Sequence, residues 1–252
     1  MAAAMNIDSA GSGAAAGGGR PSEKELFRAA ESGDAAAFSS LAPADLAAAL
    51  SLRNEDGRSL LHVAAASGHA QVVTALAAVG GDAAASVVNG KDEEGWAPIH
   101  TAASSGNAEI ISILLDQGAN VDLTTDAGRT ALHYAASKGR LNIAETLIAH
   151  SANVNRKDKF GCTPLHRAAG TGNAELCEFL IEEGADVDAV DRTGQTPLMQ
   201  AVICEDKGVA LLLIRHGADV DVEDKEGYTV LGRASDNFRH ALIDAAKAML
   251  EG

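Results

Sequence analysis

The chain has 252 residues, 46% of them hydrophobic but only 3% aromatic, and a formal net charge of −15. Alanine, leucine and valine must therefore build the core, and such small side chains suit helices packed roughly 8–10 Å apart. A surface this acidic repels phosphate backbones and anionic lipid, which excludes nucleic acid and membrane as expected partners and favours a protein bearing basic patches.

Taken in chain order, residues 1–21 are almost wholly Ala, Gly and Ser and predict a disordered tail. Residues 22–252 follow as one domain. Its first stretch, 22–41, contains Leu26-Phe-Arg-Ala-Ala30, a partial copy of what comes next, and reads as a cap. A motif then recurs as Gly57-Arg-Ser-Leu-Leu-His62, Gly95-Trp-Ala-Pro-Ile-His100, Gly128-Arg-Thr-Ala-Leu-His133 and Gly161-Cys-Thr-Pro-Leu-His166. Two weaker copies close the series, Gly194-Gln-Thr-Pro-Leu-Met199 and Gly227-Tyr-Thr-Val-Leu-Gly232. Successive glycines stand 38, 33, 33, 33 and 33 residues apart. The five extra residues of the second unit, near 80–88, predict a longer loop, and a final helix is expected over about 237–251.

Each unit reads as a helix pair. Threonine caps the first helix, proline at its first turn lacks only an N–H that has no partner there, and histidine reaches back to backbone groups of that turn. Pairs such as Ala102-Ala103 and Ala135-Ala136 let the first helix pack closely. The second helix carries an apolar face, as in Ile110, Ile111, Leu114 and Leu115, and a Gly-Ala pair ends it (Gly118, Gly184, Gly217). Ser151 takes that glycine position in one unit, and Glu205 replaces the glycine between two helices in another. A 33-residue period with this motif resembles the ankyrin repeat. The resemblance implies an all-α ankyrin-repeat solenoid of seven repeats, with β-hairpin loops and capping helices.

Reactive chemistry is not indicated. His62, His100, His133 and His166 recur one per unit, roughly 8–10 Å apart in a stack, whereas zinc needs nitrogen ligands at about 2 Å. They read as structural. The glycines of Gly11-Ser-Gly-Ala-Ala-Ala-Gly17 have the wrong spacing for a dinucleotide loop and lie in the tail. Glu93-Glu94 falls in a hairpin tip and Glu182-Glu183 at the solvent end of a helix, so neither pair is an acid/base dyad. Cys162 reads as an exposed, ordinary surface thiol and Cys177 as a core residue. Neither cofactor nor metal is expected, and the chain is not expected to be an enzyme. Three unpaired cysteines, no apolar stretch of membrane-spanning length and no signal-type N-terminus predict a soluble intracellular protein.

A curved stack offers the hairpin tips and the inner faces of the first helices as a concave binding surface. Its candidate residues are Glu55, Asp56, Arg58, Glu93, Glu94, Trp96, Ser104, Ser105, Asp126, Arg129, Ser137, Lys138, Lys159 and Phe160. Carboxylates there alternate with isolated cations, and Trp96, the one tryptophan, is the natural anchor. Asp92-Glu-Glu-Gly-Trp-Ala-Pro-Ile-His100, Leu132-His-Tyr-Ala-Ala-Ser-Lys138, His166-Arg-Ala-Ala169 and the glycine-free Cys204-Glu-Asp-Lys207 turn resemble the gankyrin family, non-ATPase regulatory subunits of the proteasome. That resemblance covers about 22–252. It implies a monomeric chaperone of regulatory-particle assembly, in cytoplasm and nucleus, gripping the C-terminal domain of a proteasomal AAA ATPase subunit, number three of the ring. Arg58 and Lys138 match family basic positions that pair with acidic residues of the ATPase. The family's L-x-C-x-E motif is absent, since Phe160, Glu175 and Val202 precede the cysteines by two. The alternative is a general ankyrin adaptor for kinases, a ubiquitin ligase or membrane-protein targeting.

Overall fold

The computed structural model describes residues 21–78 and 82–250, so the tail expected over 1–21 lies, apart from Pro21, outside the described residues. The helices are α1 (Glu23–Ser32), α2 (Ala35–Ser39), α3 (Pro43–Leu50), α4 (Leu60–Ser67), α5 (Ala70–Ala77), α6 (Asp82–Val88), α7 (Pro98–Ser105) and α8 (Ala108–Asp116). They continue as α9 (Ala131–Ser137), α10 (Leu141–Ala149), α11 (Pro164–Ala169), α12 (Ala174–Glu182), α13 (Pro197–Ile203), α14 (Lys207–Arg215), α15 (Val230–Arg233) and α16 (Asp236–Leu250). The first helices α1, α4, α7, α9, α11, α13 and α15 pack one on the next in a layer. The second helices α2, α5, α8, α10, α12, α14 and α16 form a second layer behind it. This is a two-layer helical solenoid in which each unit rests mainly on its neighbours.

Side-chain size explains the layering. Ala102, Ala103, Ala135, Ala136, Ala168 and Ala169 are all fully buried, so first helices approach where larger side chains would hold them apart. Between the layers lie Leu61, Leu76, Ile99, Ile110, Leu114, Leu132, Leu147 and Leu165, also fully buried. Truncating any of these to alanine costs about 2–5 kcal/mol.

The repeat histidine joins units as well as capping its own helix. Its Nδ1 accepts the backbone N–H three residues back: Ser59 to His62 at 3.2 Å, Ala97 to His100 at 2.9 Å, Thr130 to His133 and Thr163 to His166 at 3.1 Å. With Nδ1 so occupied, the ring proton sits on Nε2. That N–H donates to a carbonyl of the following unit: Trp96 at 2.9 Å, Leu123 at 2.7 Å, Cys162 and Gln195 at 3.0 Å. Burial pushes all four imidazoles down, His100 and His133 to about 4, so they stay neutral at pH 7.

Two expectations need correction. Among the described residues there is no β-strand, and the predicted β-hairpins are tight turns. In the second of them, Asp92 N–H bonds Trp96 O at 2.8 Å and Gly95 N–H bonds Asp92 O at 3.0 Å. A loop closed on itself this tightly, with helix α7 starting two residues on, leaves no arm to extend a ladder. The insertion near 80–88 is a helix over 82–88 rather than a loop. Three successive alanines favour it, Val88 is buried at its end, and it delivers Asn89, whose amide bonds Gly118 O at 3.0 Å. The last helix, expected over about 237–251, runs over Asp236–Leu250.

The two glycine replacements behave as their positions demand. Ser151 (φ 67°) and Glu205 (φ 56°) are the non-glycine residues with left-handed backbones among those described. A Cβ at the equivalent Gly118, Gly184 or Gly217 would meet nothing within 4 Å. The cost at Ser151 is therefore torsional alone, about 1–2 kcal/mol.

Candidate functional site

Each tip is built on the residue three before its glycine: Asn54, Asp92, Thr125, Asp158, Asp191 or Asp224. Asp92 Oδ1 accepts the N–H of Glu94 at 3.0 Å and of Trp96 at 2.8 Å. Asp158 does so for Phe160 (2.8 Å) and Cys162 (3.0 Å), Asp191 for Thr193 (2.8 Å) and Gln195 (3.0 Å), and Asp224 for Glu226 (2.9 Å) and Tyr228 (3.0 Å). Asn54 holds Asp56 and Arg58 in the same way. This is the local side-chain-to-backbone bonding that makes Asp and Asn turn residues. None of these anchors figured among the candidate residues, although their regular place before each glycine is visible in the sequence.

Tip bonds to tip through the backbone. Glu93 N–H donates to Asp56 O, Asp126 to Glu94 O, Lys159 to Ala127 O, Arg192 to Phe160 O and Lys225 to Thr193 O, at 2.8–3.4 Å. The tips therefore form one continuous row along a single side of the molecule. The row brings together the predicted tip residues Glu55, Asp56, Arg58, Glu93, Glu94, Trp96, Asp126, Arg129, Lys159 and Phe160. Ser104, Ser105, Ser137 and Lys138 lie apart from them, at the far ends of α7 and α9.

The expected isolated cations are not all isolated. Arg58 Nε lies 3.5 Å from the second oxygen of Asp92 in the next tip, and Arg129 Nε 3.6 Å from that of Asp158. Asp158 also receives Arg167, within its own unit. Burial raises the Asp158 carboxyl, but Arg167 together with the N–H groups of Phe160 and Cys162 outweighs it and holds the group below the usual carboxylate range. Arg233 reaches Asp224 at 2.7 Å by the same logic. These arginines lock neighbouring parts of the row, which removes them from the set of free charges. Lys138 and Lys159 are exposed and make no ion pair among the described residues.

Trp96 is half-buried. Its ring lies 4.3 Å from that of Tyr134 and 6.4 Å from His100, so it braces the following unit while leaving one side to solvent. A cleft of about 140 Å³ beside it is lined by Asp56, Arg58, Asp92, Glu93 and Glu94. A larger groove between α1 and the first tip is lined in part by Lys24, Phe27, Arg28 and Glu31, which the sequence reading did not single out. Cys162 is a further correction. It is buried rather than exposed, its sulfur lying 3.9 Å from Asp191 of the next tip, and burial pushes its thiol up to about 11. Burial raises the Cys177 thiol to about 12. Among the described residues no group of His, Cys, Asp and Glu could hold a metal ion, and no helix is long and apolar enough to cross a membrane.

A family model described as "Ankyrin repeats (3 copies)" matches residues 26–125, 82–158, 117–191, 148–224 and 165–252. The chain belongs to the ankyrin-repeat family. Among solved structures, the ankyrin-repeat domain of human ASB11 is similar, with 26% identity and a TM-score of 0.75, over 87% of this chain and 96% of that one. No curated protein matches. Ankyrin repeats are protein-interaction scaffolds.

Proposed function

We propose that this ankyrin-repeat protein is an assembly chaperone of the proteasome regulatory particle, acting in cytoplasm and nucleus. Its partner would be the C-terminal domain of an AAA ATPase subunit, number three of the ring, held along the tip face. One observation supports this above the others: an unbroken tip row in which exposed carboxylates at Glu55, Asp56, Glu93, Glu94 and Asp126 flank the half-open ring of Trp96. Aromatic anchors surrounded by charge are what interface energetics favours. The segments 92–100 and 132–138, which carry the resemblance to the gankyrin family, supply Trp96 and Tyr134 to this region and Lys138 at the far end of α9. Charge complementarity between such a row and basic residues of a partner fixes register and speeds encounter more than it adds affinity. Occupying the ATPase domain would keep the ring from docking on the core particle prematurely.

The test is a pull-down with the purified ATPase C-terminal domain. Combined Glu93→Lys, Glu94→Lys and Lys138→Glu should weaken capture roughly tenfold or more with the fold intact. Absence of any capture by the wild-type chain overturns the assignment and leaves the general adaptor reading.

A further inference from the structure

One register position, two residues before each tip glycine, runs Glu55, Glu93, Asp126, Lys159, Arg192, Lys225 along the row. All six are exposed, so the solvent side of the row is acidic through three tips and basic through the next three. The three cations make no ion pair and no side-chain hydrogen bond among the described residues. Around Asp158 two arginines, Arg129 and Arg167, face one carboxylate, which leaves a further positive excess where the sign changes. The exposed carboxylate of the last tip, Glu226, is bound by Arg233 at 2.9 Å.

Apolar surface coincides with the basic half. The exposed large hydrophobic residues among those described are Phe160 (57%), Val190, Ile203 (45%) and Tyr228 (48%), all C-terminal to the sign change. Phe160 and Tyr228 stand on tips, and Ile203 ends the first helix between them in sequence. The same register position is Ala66, Ser104, Ser137 and Gly170 in the earlier units, so Ile203 places hydrocarbon where they carry a small side chain or none. Arg233 stacks 4.5 Å from the Tyr228 ring and steadies it. Several large apolar side chains held open beside unpaired cations mark an interaction surface rather than ordinary solvated exposure.

We infer that the C-terminal half of the tip face is a second docking surface, which binds an acidic protein segment bearing large apolar side chains. Phe160 and Tyr228 on the tips take the apolar groups, Lys159, Arg192 and Lys225 take the carboxylates, and Ile203 at the far end of α13 extends the apolar surface away from the row. With the acidic half beside it, the row orients a partner by charge, its basic region over the first tips and its acidic region over the last. The inference goes beyond the chaperone assignment and does not require the ATPase.

The experiment is an NMR titration of the isotope-labelled chain with a peptide of about twelve residues alternating Glu with Leu and Phe, a length that spans several tips. Saturable shifts are expected at the amides of Lys159, Phe160, Arg192, Ile203, Lys225 and Tyr228. Combined Lys159→Glu, Arg192→Glu and Lys225→Glu should weaken binding roughly tenfold or more, as should replacing the peptide's Leu and Phe by Glu. These positions are exposed, and an unchanged amide spectrum elsewhere verifies the fold. Absent binding, shifts centred on the first three tips, equal affinity for the triple variant, or equal affinity for the all-Glu peptide each overturn the inference. The ATPase pull-down reads the acidic half, so either proposal can fail while the other stands.

Discussion

Lowering the pH from 7 to 5 should loosen the joints between units through the buried histidines. His100 and His133 have folded-state values of about 4 against an ordinary 6.5. Between those limits the unfolded chain binds more protons than the folded one, so stability falls as pH falls. At pH 5 each imidazole withdraws about 2 kcal/mol, and the two together about 4 kcal/mol. The full contribution, on the order of 3 kcal/mol each, is present above pH 6.5 and gone near pH 4. His62 and His166 shift the same way and add to it. Protonating carboxylates on a chain of charge −15 relieves repulsion and works in the opposite sense. The histidine part is therefore read as the difference between the wild type and a His100→Gln, His133→Gln variant. Urea unfolding followed by circular dichroism at pH 7 and pH 5 provides it. The wild type should lose about 4 kcal/mol more than the variant over this interval. Equal losses would mean that the imidazoles are not buried and neutral, and the account of how units are joined would fail.

Three further outcomes follow from individual sites. Asp158→Ala removes a buried carboxylate that serves two tip N–H groups and two arginines, and should destabilise by about 3–5 kcal/mol in thermal unfolding. Ser151→Gly relieves a left-handed serine whose Cβ site is open, and should raise stability by up to about 1 kcal/mol in the same assay. Iodoacetamide at pH 8 should label exposed Cys204 quickly and spare buried Cys162 and Cys177, whose thiols titrate near 11 and 12, as followed by peptide mass spectrometry.

The recurring Gly-x-Thr-Pro-Leu-His motif was enough to place the helix starts and the ankyrin class, and the repeat's Gly-Ala pair marked the left-handed position at Ser151. Each of these depends on residues within one unit: a cap, a proline at the first turn, a glycine where φ must be positive. The helix over 82–88 was missed because an insertion has no periodic copy to compare with, although its alanines carried the propensity.

What only the tertiary structure decided is whatever crosses from one unit to the next. Arg58 looks like a free cation until Asp92 of the following tip comes within 3.5 Å, and Cys162 looks exposed until the following tip brings Asp191 to 3.9 Å from its sulfur. Trp96 becomes part brace once Tyr134 lies against it. Partners some 30 residues distant are set by stacking, and a side chain's own segment does not encode whether that neighbour will neutralise, bury or expose it.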